Sequence, residues 1–265
     1  MKIQKQNQKQ IMYNPFSLSN KTIIVTGASS GIGAQCAIDC SKMGAKVVLV
    51  GRNIERLNQV LLQCDNAQNH LLISSDLTDY SNLSNLVKKI VDKVGKINGL
   101  INCAGISTTL PINAVKEEIL NNFFATNVYT AYLLTKECSK KNVVSDDGLS
   151  VIFLSSVMGH VGEKGKSIYS MTKGALIAGM RSLAAELAKK KVRVNCISPG
   201  CIITPINENL PHIADPDKRM LLESQHLLGL GQTTDISNAC IYLLSDASRW
   251  VTGTTLIVDG GYTAQ

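Results

Sequence analysis

From Asn20 onward the chain alternates between two hydrophobic rhythms. Short runs of aliphatic and β-branched residues, apolar at consecutive positions, give way to longer segments whose apolar residues recur three and four apart. The runs Thr22–Thr26, Lys46–Val50, His70–Ser74, Gly99–Asn102, Ser150–Ser155, Arg193–Ser198 and Thr255–Asp259 predict strands. The segments between them predict helices over about Gly31–Met43, Ile54–Cys64, Ser81–Val94, Lys116–Lys140, Ile168–Lys190 and Thr233–Ser245. Strands apolar at consecutive positions bury both faces. The alternation therefore predicts an α/β fold, a doubly wound parallel sheet of about seven strands with helices on both faces.

Two segments depart from this rhythm. Residues 1–19 are rich in Lys, Gln and Asn with little periodicity and read as a mobile N-terminal extension, leaving 20–265 as a single domain. Between Pro199 and Leu230 the pattern is interrupted by Pro205, Pro211 and Pro216. A long insertion after a strand, on the side where such sheets bind ligands, predicts a substrate lid near 201–230.

Composition narrows the class. With 45% hydrophobic and 18% charged residues among 265, the chain has material for a sizeable core and is neither fibrous nor disordered. No apolar run approaches the ~20 residues of a membrane helix, so no membrane association is expected. The formal charge is +7, but Lys2, Lys5 and Lys9 lie in the extension, ahead of any acidic residue, and the remainder is too weakly basic to predict nucleic-acid binding. Eight scattered cysteines, with no C-x-x-C pair and no signal peptide, read as reduced thiols of a cytoplasmic protein. Cys36 and Cys40 share a helix face, but no pattern supplies further ligands, so core packing is expected there and no metal.

The candidate chemistry begins after the first strand. Thr26-Gly27-Ala28-Ser29-Ser30-Gly31-Ile32-Gly33 runs directly into a helix. Glycines let the backbone turn tightly and let a pyrophosphate approach N–H groups at the helix start, where the macrodipole favours negative charge. The second strand ends Gly51-Arg52-Asn53, with Arg where NAD-binding folds carry a carboxylate for the ribose. A guanidinium fork suits a 2′-phosphate, so NADP is expected over NAD, with Arg52 and Asn53 beside it. Asp76 and Leu77, closing the third strand, are placed for the adenine.

Further along, Ser156 closes a strand and Tyr169 and Lys173 stand four apart on a helix, so their side chains leave one face. A tyrosine is a poor base at neutral pH, but a nearby ammonium stabilises the tyrosinate and makes the pair a usable general acid/base. Ser156 could hold a carbonyl or hydroxyl oxygen beside it. A rival pattern also exists. Gly27-Ala28-Ser29-Ser30-Gly31 matches G-x-S-x-G, the nucleophile elbow of serine hydrolases, with His212 or His226 as partner for Ser29. A protein that binds NADPH without turnover is the other alternative, against which the tyrosine base argues.

On these residues the chain resembles the short-chain dehydrogenase/reductase family from about Ser19 to Tyr262. Thr26–Gly33 is similar to that family's T-G-x-x-x-G-x-G loop, and Asn102-Cys103-Ala104-Gly105 to its N-N-A-G strand end, with Cys replacing the second Asn. The resemblance implies a Rossmann fold and a catalytic set of Asn127, Ser156, Tyr169 and Lys173. It also implies cofactor contacts from Gly27, Ser29, Ser30, Gly31, Ile32, Gly33, Asn102, Ala104, Gly105, Tyr169, Lys173, Pro199, Gly200, Ile202 and Thr204. Asp259-Gly260-Gly261 resembles the family's usual C-terminal ending. The implied reaction is hydride transfer between NADP(H) and a carbonyl or secondary alcohol. Tyr169 would protonate the oxygen, Ser156 polarise the carbonyl, Lys173 lower the tyrosine pKa and hold the nicotinamide ribose, and Asn127 anchor a water chain.

For the substrate, Ile106, Ser107, residues 157–161, Cys201 and Ile202 are expected around the reacting carbon. The contacts named are Ser156, Met158, His160, Tyr169 and Cys201, with His160 the one titratable group of a moderately hydrophobic pocket. Within the family the pattern resembles 3-oxoacyl-[acyl-carrier-protein] reductases, kept as the alternative. Lys189, Lys190 and Lys191 would suit an acidic carrier, whereas Asp146 and Asp147 would repel one. The resemblance further implies a homo-oligomer, a tetramer or dimer built on the helices near 116–140 and 168–190.

Overall fold

A computed structural model describes residues 13–208 and 211–265. Seven parallel strands form one sheet: β1 (Thr22–Thr26), β2 (Lys46–Gly51), β3 (Leu71–Ser74), β4 (Gly99–Asn102), β5 (Leu149–Leu154), β6 (Val192–Pro199) and β7 (Thr255–Val258). Their order is β3-β2-β1-β4-β5-β6-β7, every neighbouring pair parallel. The expected doubly wound sheet is thus present, with strand ends within a residue or two of those anticipated.

Consecutive apolar residues face opposite sides, which is why the strands lack a polar alternation. Ile24, Val48, Leu100, Val151 and Val194 point to one side. There they meet Leu86 and Ile90 of α3 (Leu83–Val94), Leu134 of α5 (Thr130–Cys138), and Leu176 and Met180 of α6 (Ser167–Leu187). Ile23, Val25, Val47, Leu49, Ile152 and Ile197 point to the other. Here the cover comes from α1 (Gly31–Lys42), α2 (Ile54–Leu61) and α9 (Thr233–Leu244). Cys36 and Cys40 of α1 are both buried in this layer, Cys36 Sγ 3.7 Å from Cys240 Sγ of α9.

Three departures from expectation matter. The first twelve residues of the anticipated extension lie outside the described residues, but residues 15–19 pack onto the body. Leu18 is fully buried, its N–H donates to the Met43 carbonyl (2.9 Å), and the Pro15 carbonyl accepts from Ala247 N–H (3.0 Å). One leucine sequestered by two backbone bonds moves the edge of the folded body ahead of Asn20.

The single long helix expected over 116–140 is instead α4 (Glu117–Phe124), one π-helical turn (Ala125–Tyr129) and α5. A π turn widens the helix and re-aims one side chain inward, here Asn127, which is 1% exposed. The proline-rich insertion carries two short helices, α7 (Pro211–Ala214) and α8 (Pro216–Ser224), joined to the body partly by Leu228 N–H donating to the Gly260 carbonyl (3.0 Å).

Candidate active site

The strand order reverses direction between β1 and β4, and the loops leaving their C-terminal ends diverge into a crevice. In open α/β sheets this is where ligands bind. Thr26 closes the base of the crevice. Its hydroxyl accepts from Cys103 N–H (3.0 Å) and Ala104 N–H (3.1 Å), locking the loop after β4 to the turn after β1.

A cavity of about 430 Å³ lies above this junction. Gly27, Ser29 to Gly33, Arg52, Asp76, Leu77, Ala104, Gly105 and Thr204 line it, so most of the residues expected around a cofactor converge there. Three features fit a dinucleotide. Gly27 and Gly31 have φ of 64° and 55°, and a Cβ on Gly33 would run into the Gly27 carbonyl oxygen, so the close-packed turn tolerates only glycine. The Ser30 side chain makes no cap and the first turn of α1 carries no acidic residue, leaving its N–H groups for an anion. Arg52 at the far end is joined by Arg56, four residues on in α2.

Arg56 escaped the sequence reading, although its i, i+4 spacing from Arg52 was a usable signal. Asp76 accepts from the Thr78 hydroxyl (2.7 Å) and N–H (2.9 Å), and these bonds hold its carboxyl below the usual range. Two expected contacts lie elsewhere. Asn53 caps α2 by accepting from Arg56 N–H (2.8 Å), and buried Asn102 donates to Thr135 Oγ1 (3.3 Å). Both side chains serve the fold because they point away from the crevice, along a helix start and into the core.

Ser156, Tyr169 and Lys173 meet in an adjoining cavity of about 120 Å³, with Ser107, Pro199, Gly200, Ile202 and Thr204. The Lys173 ammonium donates to the Leu154 carbonyl at the end of β5 (2.7 Å) and lies 5.5 Å from the Tyr169 ring centre. Ser155 Oγ donates to the Lys173 carbonyl (2.9 Å), clamping α6 against β5. Burial dominates the electrostatics. It pushes the Tyr169 phenol up to about 12, opposed by the Ser156 hydroxyl, and the Lys173 amine down to about 8. Desolvation and the Ser156 hydroxyl, rather than the Lys173 cation, set the direction of the tyrosine shift in this chain alone.

A buried amine whose folded pKa lies below the ordinary lysine value of 10.5 penalises the native state most at pH below about 8. The penalty is relieved as pH rises through that value, since the unfolded chain then binds more protons. Wild type is expected to gain stability relative to Lys173→Met between pH about 8 and 10 in urea denaturation. A constant difference across that window would contradict the shift.

Asn127 is spent on structure close to the site. Its Oδ1 accepts from Ile106 N–H (2.8 Å), and its Nδ2 donates to the Ile106 carbonyl (3.0 Å) and to Thr172 Oγ1 (3.1 Å). It fixes the loop that runs from Gly105 past the tyrosine. Asn127→Ala is expected to cost about 1–3 kcal/mol in urea denaturation by stranding these groups, together with a loss of turnover. Unchanged stability would contradict this positioning role.

A third cavity, of about 100 Å³, opens on the far side of Tyr169. Ser156, Met158 and Cys201 line it as expected, but His160 does not; its Nε2 lies 3.0 Å from Ser198 Oγ at the end of β6. Glu163, Lys166, Asn207, His226 and Tyr262 also line this cavity, so polar side chains beyond those expected stand among the apolar ones. Nothing in the sequence set these apart. Among the described side chains the hydrolase alternative finds no base. His226 faces this pocket, away from Ser29, with Nε2 held by Cys201 N–H and Nδ1 2.8 Å from the Leu222 carbonyl, and the His212 side chain lies outside the described residues.

Residues 27–263 match the family model described as enoyl-(acyl carrier protein) reductase. The chain belongs to the short-chain dehydrogenase/reductase family. An L-rhamnose 1-dehydrogenase (NAD(P)(+)) of Sphingomonas sp. is 31% identical over 92% of this chain and 96% of its own. A 3-oxoacyl-[acyl-carrier-protein] reductase of Bos taurus is 32% identical over 91% and 98%. Among solved structures, a short-chain type dehydrogenase/reductase from Mycobacterium marinum superposes with TM-score 0.87 at 29% identity, covering 95% of this chain and 98% of that one. A protein provisionally assigned as a gluconate 5-dehydrogenase of Beutenbergia cavernae, with NADP bound at low occupancy, gives 0.88 at 26% identity over 95% and 100%. As a member of this family the chain is an oxidoreductase acting on alcohol or carbonyl groups with a nicotinamide cofactor.

Proposed function

We propose that the protein is an NADP(H)-dependent reductase of a small carbonyl compound, with Tyr169 as the proton donor. The observation that carries it is the convergence of Ser156, Tyr169 and Lys173 beside a glycine-lined cavity ending in two arginines. The nicotinamide cofactor, when bound, supplies the hydride. Glycines 27, 31 and 33 and the α1 start receive its pyrophosphate, and Arg52 with Arg56 receives the 2′-phosphate. Ser156 donates to the substrate oxygen and Tyr169 gives it a proton. A phenol held protonated well above neutral pH suits donation to a developing alkoxide. Lys173 supplies positive charge beside the tyrosine, and Asn127 keeps the Ile106 loop in place.

The reading favours a free small molecule over an acyl carrier. Lys189 to Lys191 follow the C-terminal end of α6, which at 21 residues puts them about 30 Å from Tyr169, too far to guide a carrier into the pocket. Exposed Tyr129, Tyr132 and Met171 on α5, α6 and the π turn suit a homo-oligomeric interface, and the eight unpaired thiols suit the cytoplasm. No described helix is long and apolar enough to cross a membrane. The deciding experiment is titration with NADPH and NADH by nicotinamide fluorescence, then oxidation of the bound cofactor against a panel of small ketones. Preferential NADPH binding with turnover is expected; no binding of either overturns the reading.

A further inference from the structure

The pocket beyond Tyr169 holds a cation with no partner among the described residues. Lys166 is 5% exposed, and none of the ion pairs among the described residues includes it. Its backbone is fully engaged, N–H to the Glu163 carbonyl (3.2 Å) and carbonyl to Ser170 N–H (2.8 Å), but its ammonium makes no hydrogen bond to a described residue. The side chain lines the same 100 Å³ cavity as Ser107, Ser156 and Tyr169.

The placement is built. Gly165, immediately before it, has φ of 79°, and its carbonyl accepts from Leu110 N–H (2.8 Å), tying the Lys166 turn to the loop after β4. A Cβ on Gly165 would press on the Thr109 side chain at 2.9 Å. Lys166 also caps α6 three residues ahead of Tyr169, so cation and phenol are held by one rigid element.

Enclosing an ammonium without a counter-ion is costly even where it keeps contact with a cavity, and here partial burial pushes the amine below its ordinary value, Glu163 opposing only in part. Glu163 is exposed, lines the same pocket and forms no ion pair with Lys166. Two of the other polar groups around the cavity are committed, whereas the Ser107 and Tyr262 hydroxyls make no hydrogen bond to a described residue. His226 uses both ring nitrogens, and Asn207 donates to the Ile202 carbonyl (2.9 Å) and accepts from Thr204 N–H (2.9 Å). A ligand that enters therefore meets one lysine ammonium in the same cavity as the hydroxyls that would act on its carbonyl.

We propose that Lys166 is a specificity-determining residue that binds the carboxylate of a small oxo or hydroxy acid, orienting its reacting carbon toward Ser156 and Tyr169. This rests on the reductase reading above. It adds a negative charge to the carbonyl or alcohol substrate of a moderately hydrophobic pocket expected from sequence.

The test uses the holoenzyme and matched pairs, 3-oxobutanoate and 4-oxopentanoate against their methyl esters. Cofactor binding is measured first, without carboxylate; its failure would strike the reductase reading itself. With cofactor bound, wild type is expected to prefer the acids, and Lys166→Met to lower the acid-to-ester ratio of kcat/KM about tenfold to hundredfold, the range for a charge-assisted hydrogen bond. Lys166→Arg should keep most of the preference. If no pair turns over, acid binding to the enzyme–NADP complex gives the same readout by nicotinamide fluorescence. An unchanged ratio, or acid binding that is absent in wild type or equal in wild type and Lys166→Met, overturns the inference and leaves the reductase standing.

Discussion

Tyr169→Phe is expected to lower kcat about a thousandfold while leaving NADPH affinity and thermal stability near wild type. The substitution removes one oxygen and keeps the ring that packs near Lys173. A positioned acid contributes roughly 10²- to 10⁴-fold to such reactions, and no other described side chain in the cavity offers a comparable proton. Ser156 Oγ already accepts from Met158 N–H (3.2 Å) and has an ordinary hydroxyl's reluctance to give up its proton. Lys173 is tied to the Leu154 carbonyl. Single-turnover measurement of NADPH oxidation separates the chemical step from product release. A variant retaining a tenth or more of the wild-type rate would remove Tyr169 from the role of proton donor.

The second large effect concerns cofactor choice. Arg52 and Arg56 both line the outer end of the dinucleotide cavity and both are exposed, so their value lies in what they bind. Asp76, the carboxylate that lines the same cavity, is engaged with Thr78. Arg52→Ala with Arg56→Ala is expected to weaken NADPH binding by about a hundredfold and NADH by less than threefold, since only the 2′-phosphate loses its charge-assisted bonds. Fluorescence titration at two salt concentrations reads both the loss and its screening. Equal losses for the two nucleotides would mean that the arginines merely shape the crevice.

These predictions rest on features that were legible to different degrees. The glycine turn, the Tyr169–Lys173 spacing and Ser156 at a strand end are short-range patterns. Residues three or four apart on a helix must share a face, and a turn directly after a strand must lie at the sheet's edge, whatever the rest of the chain does. The strands are legible for the same reason. A run such as Thr22–Thr26, apolar at every inner position, needs cover on both sides, and helices between parallel strands are the only local source of it.

What the sequence by itself determined is therefore the doubly wound sheet, the dinucleotide turn and the serine, tyrosine and lysine that meet beside it. The tertiary structure alone decided which polar side chains turn inward. Lys164 and Lys166 are neighbours in one short polar loop, yet Lys164 is exposed and Lys166 buried, because the left-handed turn at Gly165 and the loop after β4 bring only one of them under cover. The same holds for Asn127, aimed inward by a π turn, for Asn53 and Asn102, diverted to the fold, and for Leu18, buried against α1's C-terminal end. Desolvation likewise belongs to the assembled molecule. A phenol four residues from a lysine predicts a lowered pKa in water, and only the packed surroundings, which exclude that water, turn the shift upward.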